Sequence, residues 1–123
     1  MLYTRVMEGL PNYVKEIRPW GGFERFTLNE SSTVKLITLT SGDEFSLQKH
    51  TGRDEFWRIV SGSGSIHINN LVTDVKLGDS FYCPRGTVHR AKGGPGGLVF
   101  LEISLGTFDE QDITRLEDNY GRV

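Results

Sequence analysis

The chain has 123 residues, 37% hydrophobic and 11% aromatic, enough for one packed core and too few for two. Its 14 Lys and Arg against 16 Asp and Glu give a net charge of −2, which excludes the broad basic surface that a nucleic acid or an anionic membrane requires. No apolar run approaches the roughly 20 residues of a membrane span, and the N-terminus lacks the basic start and apolar core of a signal peptide, so a soluble cytoplasmic protein is expected.

In chain order, Leu2, Val6, Met7 and Leu10 recur at helical spacing before Pro11, which predicts a short helix or docking arm over residues 1–13. The body, residues 14–108, reads as a barrel of short strands. TVKLITLT (33–40), EFWRIVSG (55–62), GSIHIN (64–69), DSFYCP (79–84) and LVFLEISL (98–105) are rich in β-branched and aromatic residues and bounded by Gly and Pro. Short strands at regular spacing point to an all-β sandwich or barrel. In the tail, 109–123, Asp109 is positioned to cap a short helix whose Ile113, Leu116 and Tyr120 fall on one side. The single Cys83 has no internal disulfide partner and reads as a buried strand thiol without chemistry.

One set of residues carries metal-site chemistry. Gln48 and His50 are two apart, so on a strand they project from one face, and an adjacent antiparallel strand opening at Glu55 sets its carboxylate beside them. His89 follows a Pro84 to Gly86 turn that can return the chain to the same pocket. His67, the third histidine, falls in a separate hairpin and is expected to be exposed.

Glycines and proline frame these residues at set intervals. Gly42, Gln48-x-His50, Glu55 and Gly62, then Gly78, Pro84, Gly86 and His89, resemble the two motifs of the cupin superfamily. There are two departures: Gln48 replaces the usual first histidine, and Gly93 stands where an Asn often ends the second motif. The resemblance implies a jelly-roll barrel, also called a double-stranded β-helix, holding one divalent metal ion with Gln48, His50, Glu55 and His89. Two imidazoles, a carboxylate and a neutral amide oxygen suit Zn, Mn, Co, Ni or Fe and leave room for water or substrate oxygens.

Further residues narrow the resemblance. Arg18-Pro19-Trp20-Gly21 with Phe23, Ser46-Leu47-Gln48-x-His50, Arg53-x-Glu55-x-Trp57, Pro84-x-Gly86-Thr87-Val88-His89-Arg90 and Glu117-Asp118-x-Tyr120-Gly121-Arg122 are similar to type II phosphomannose isomerase. In that family the cupin commonly forms the C-terminal half of a bifunctional enzyme whose other half is a mannose-1-phosphate guanylyltransferase. The resemblance spans residues 14–122 and implies interconversion of mannose 6-phosphate and fructose 6-phosphate through a metal-stabilised cis-enediolate. The alternative is a non-catalytic cupin that binds a sugar phosphate or nucleotide sugar as a sensor or accessory module.

The isomerase reading needs a phosphate clamp and a base. Arg53, Arg115 and Arg122 are the candidates for the clamp, while Arg90 directly follows His89 and is expected to face away. Lys35 shares a face with Ile37 and Leu39, Glu102 shares one with Leu98, Phe100 and Ser104, and either is a candidate base. Relatives commonly carry further histidines after His50 and after the glutamate, where this chain has Thr51, Gly52 and Phe56. That departure is expected to alter proton transfer or the orientation of the ligands. Covering of sheet edges by a second copy predicts a homodimer.

Overall fold

The computed structural model describes Tyr3, Thr4 and residues 7–123. Every regular element in them is a strand: β1 Tyr3–Thr4, β2 Val14–Arg18, β3 Gly21–Arg25, β4 Ser32–Leu39, β5 Leu47–Lys49, β6 Arg53–Ile68, β7 Leu71–Val75, β8 Ser80–Cys83, β9 His89–Gly106 and β10 Thr114–Glu117. β1, β2 and β3 form a three-stranded antiparallel sheet. The other seven form one sheet of path β10-β5-β9-β6-β7, with β4 paired to β9 and β8 to β6.

Two long strands turn this sheet into a barrel. The first half of β6 pairs with the second half of β9, from Arg53 opposite Gly106 to Gly62 opposite Leu98. The second half of β6 pairs with the first half of β9, from Gly64 opposite Gly93 to Ile68 opposite His89. β4 and β8 flank the former pairing, β5 and β7 the latter. The bend between the halves falls at register shifts around Ile59/Ser61 and Gly62/Gly64, as bulges permit. Gly62 is obligatory there. Its φ is +83°, and a Cβ would run into the carbonyl oxygen of Gly97.

Strand alternation fills the interior in rows. Ile37, Phe100 and Ile59 stand in register across β4, β9 and β6; the next row is Lys35, Glu102 and Trp57; the next is Thr33, Ser104, Glu55 and Cys83. One end of the barrel is therefore apolar, with Ile59, Ile66, Val75, Ala91, Leu98 and Phe100 packed around Trp57. Burying a side chain such as Phe100 contributes about 1.5–3 kcal/mol. The other end is lined by polar groups. Cys83 is buried, and burial pushes its thiol well above the ordinary range, so it stays protonated.

Both predicted terminal helices are absent among the described residues. Leu2 and Val6 lie outside those residues. Tyr3–Thr4 pairs with Lys15 and Glu16, and Met7–Tyr13 runs through two turns, with Gly9 at φ +78°. Leu10 and Tyr13 instead dock on Phe56 and Ile103, a second apolar cluster on the outside of the barrel wall. In the tail, Asp109 Oδ1 accepts from Gln111 N at 2.9 Å and closes a turn, after which Thr114–Glu117 adds to the free edge of β5. The ladder bonds offered by that edge outweigh the helical pattern, and the β-branched Ile113 and Thr114 favour the extended form. No helix of the described residues is long and apolar enough to cross a membrane.

Candidate metal centre

β5 places Gln48 opposite His89 at the start of β9, His50 follows β5 directly, and Glu55 lies on the inner face of β6. Ligand atoms of His50, Glu55 and His89 all lie within 4.8 Å of one another, and all three residues are buried. His50 Nε2 is 3.4 Å from Glu55 Oε2, and His89 Nε2 is 3.5 Å from Glu55 Oε1. The remaining ring nitrogens are tied back. His50 Nδ1 donates to the Asp112 carbonyl at 2.7 Å, and His89 Nδ1 to the Thr87 carbonyl at 3.0 Å. A carbonyl only accepts, so both rings carry hydrogen on Nδ1 and turn the Nε2 lone pair inward.

His89 Nε2 is buried and has no hydrogen-bond partner, and burial holds the ring below the ordinary imidazole pKa, in its neutral form. A neutral inward nitrogen without a protein donor is the feature a divalent cation would satisfy. The donor set of two imidazoles and a carboxylate fits one.

Gln48 stands beside this trio with its amide turned. Its Oε1 accepts from Ser46 Oγ at 2.7 Å, and its Nε2 faces His50 Nε2 at 3.4 Å. Half a rotation of the amide would present oxygen to the cluster instead. Glu55 is held on both oxygens: Trp57 Nε1 donates to Oε1 at 3.3 Å and Arg53 Nε to Oε2 at 3.0 Å. Arg53 is buried, not a rim cation. Its Nη2 also reaches His50 Nε2 at 3.2 Å, and its guanidinium lies 4.5 Å from the centre of the Phe108 ring.

Gln48, His50 and Glu55 line a cavity of about 220 Å³ whose wall includes every residue proposed above for substrate or proton transfer: Lys35, Arg53, Glu102, Arg115 and Arg122. Lys35 Nζ bonds Glu110 Oε1 at 3.2 Å and lies 4.4 Å from the Phe108 ring centre. Burial, and next the charge of Glu55, push the Glu102 carboxyl up to about 7. Arg115 stands opposite Gln48 on β10, and its buried Nε has no hydrogen-bond partner. Arg122 is paired with Asp118 at 2.7 Å. A larger depression of about 350 Å³, lined by Ser63, Ser65, Asp74, Lys92 and Gly93 to Pro95, sits at the β6–β9 bend without a ligand cluster.

Other residues point elsewhere. Arg90 faces out, between Glu44 at 3.5 Å and Glu117 at 3.7 Å. His67 lies in the β6–β7 hairpin, half-buried, bonded to the Asn69 carbonyl at 2.6 Å. Thr51, Gly52 and Phe56 do not line the cavity; Phe56 alternates with Glu55 and packs 5.6 Å from Phe26 on the other side of the wall. Ser46 and Asp112 were missed. Ser46 shares the period-two face of Gln48 and His50 and was legible there. Asp112 had no signal, because its contact depends on which strand the tail joins. The N–H groups of Thr51 and Gly52 hold the Asp112 carboxyl down to about 2.

A barrel of two interleaved strand pairs, with two histidines and a glutamate converging at one end, is the cupin arrangement, and solved structures agree. A double-stranded β-helix protein from Klebsiella pneumoniae has a TM-score of 0.63 at 25% identity, covering 73% of this chain and 78% of that one. Oxalate decarboxylase from Bacillus subtilis has a TM-score of 0.65 at 26% identity, covering 71% of this chain and 24% of that one. The sequence model of the family described as mannose-6-phosphate isomerase C-terminal matches residues 8–118, and the chain belongs to that family. It is 37% identical over 111 residues to the xanthan biosynthesis protein XanB of Xanthomonas campestris (89% of this chain, 24% of the relative). It is 36% identical over 108 residues to the mannose-1-phosphate guanylyltransferase ManC of Salmonella typhimurium (86% and 22%). The chain thus spans about a quarter of these relatives' length.

Proposed function

We propose that the chain is a metal-dependent sugar-phosphate isomerase that interconverts mannose 6-phosphate and fructose 6-phosphate. The observation that carries this reading is the buried His50, Glu55 and His89 cluster, two of whose members, His50 and Glu55, line a small cavity together with Lys35, Arg53, Arg115 and Arg122. The family match supports the sugar phosphate as substrate.

In this reading His50, Glu55 and His89 hold one divalent ion, with Gln48 as the fourth ligand once its amide oxygen faces inward. A bound ion would supply Lewis-acid stabilisation of the negative charge that develops on the sugar oxygens as a proton moves between C1 and C2. Trp57 and Arg53 fix the Glu55 carboxylate by their two hydrogen bonds. Arg115 and Arg122 at the cavity wall bind the phosphate, and Arg53 adds positive charge at its base. Glu102, facing Lys35 across the β4–β9 ladder, carries the proton.

The test follows mannose 6-phosphate to fructose 6-phosphate with metal-stripped protein and after restoring Zn²⁺, Mn²⁺ or Co²⁺. Turnover that returns with one of these ions is the expected result. Tight metal binding without turnover under any of them would overturn the isomerase reading and favour a sugar-phosphate-binding accessory module.

A further inference from the structure

His50 and His89 obtain their orienting carbonyls differently. His89 uses Thr87, two residues away in its own turn, whereas His50 uses Asp112, 62 residues away in the tail. Asp112 does more than supply that carbonyl. Its Oδ1 accepts from Thr51 N at 2.9 Å and from Thr51 Oγ at 2.8 Å, and its Oδ2 accepts from Gly52 N at 2.7 Å. One residue thus makes four hydrogen bonds to three consecutive residues that begin at a metal-site histidine. Thr107 N, directly after β9, donates to the Gly52 carbonyl at 3.0 Å, so this loop is held at a second point.

Gly52 is matched to the clasp. A Cβ there would lie 3.1 Å from Asp112 Oδ2 and 3.4 Å from the Thr107 carbonyl, so a side chain would require the carboxylate to give by a few tenths of an ångström. A neutral imidazole has two tautomers, and only the one with hydrogen on Nδ1 offers Nε2 to an ion. Nothing in the 50–52 loop itself bonds His50 Nδ1. The carbonyl that selects the tautomer is only as well placed as the carboxylate that anchors it.

We propose that Asp112 is a positioning residue for the metal centre: its carboxylate locks the 50–52 loop to the tail so that its carbonyl holds His50 with Nε2 facing Glu55 and His89. This rests on the metal-site reading above. It assigns to the turn before β10, far from the ligands in sequence, control over how tightly the ion is held.

The test uses the full chain and its Asp112→Ala variant, with two readouts. Zinc affinity is measured by competition with a chromophoric chelator, and the His50 tautomer by imidazole ¹⁵N–¹H NMR on zinc-free protein. Asp112→Ala is expected to weaken zinc binding about 10–100-fold, the usual range for losing a group that orients a ligand. The His50 signals should move toward a mixture of tautomers while those of His89 stay put. Wild-type affinity with an unchanged His50 tautomer would overturn the proposal. Should Asp112→Ala fail to fold, Gly52→Ala crowds the same carboxylate and is expected to shift both readouts in the same direction; no shift there overturns it equally. A His50→Ala control separates the two readings. If wild type binds zinc no tighter than this control, the metal reading falls and takes the proposal with it; if wild type binds tightly and Asp112→Ala binds equally, only the proposal falls.

Discussion

Trp57 Nε1 donates to Glu55 Oε1 at 3.3 Å, so the largest fully buried side chain of the barrel also holds one oxygen of the carboxylate that sits between His50 and His89. The same indole packs 4.8 Å from Phe100 and edge-on 5.3 Å from His89. Core and site share a wall. Trp57→Phe keeps most of the packing and removes the donor, leaving a buried carboxylate oxygen short of one hydrogen bond. A loss of about 1–3 kcal/mol in urea unfolding is expected, with weaker zinc binding. Weaker stability with unchanged zinc affinity would show that this hydrogen bond serves packing alone.

Glu55→Gln removes the only carboxylate of the trio and leaves Arg53, 6% exposed, without its ionic partner. Zinc content by elemental analysis after gel filtration is expected to fall to background. Stability should drop by about 3–5 kcal/mol, as for breaking a buried ion pair. Full zinc occupancy would exclude Glu55 as a ligand.

Phe56→His places an imidazole directly after Glu55. Because Phe56 is 1% exposed and packs against Phe26 and Ile103, the imidazole would enter an apolar cluster. The expected outcome is a loss of about 2–4 kcal/mol and no gain in turnover. A rise in isomerase activity would mean that this wall does reach the reaction.

Glu24 ties the outer sheet to the barrel through Arg58, with Oε1 2.8 Å from Nη2 and Oε2 2.9 Å from Nη1. The Arg58 hydrogen bonds hold its pKa at about 2, below its usual 4.5. A depressed carboxylate stabilises the fold fully above the unfolded value and loses that contribution as pH falls toward 2. Wild type should therefore exceed Glu24→Gln by about 1–2 kcal/mol at pH 7 after solvent screening, and the gap should close between pH 4.5 and 2. Parallel urea titrations at these pH values check it; a gap independent of pH would assign the effect to packing.

Alternation made much of the interior legible. Residues 33–39 and 98–105 lie in strands, and their inward rows carry Lys35 and Glu102 into the cavity as the period of two requires. Residues 55–62 and 64–69 read as two strands because Gly62 and Gly64 look like punctuation. They are instead the bulged bend of one strand, β6, which begins two residues earlier and so puts Arg53 on the face of Glu55. β7 was missed, its LVTDV being short and mostly exposed. The tail illustrates the limit most clearly: helical periodicity in FDEQDITRLED is real, but the open edge of β5 is a property of the fold and cannot be seen in the segment itself.

β9 draws its partners from three separate stretches, Ser32–Leu39, Gln48 and Arg53–Ile68, with Ser32 meeting Leu105. Until that strand has been synthesised, β4 and β5 have no partner among the earlier strands, and β6 is covered only on the edge that meets β7 and β8. The barrel therefore closes late. Such non-local pairing belongs to the slow class of folders, in the range of milliseconds to seconds. During that interval β4, β5 and one edge of β6 remain unpaired, which makes the nascent chain, more than the finished one, the form most exposed to aggregation.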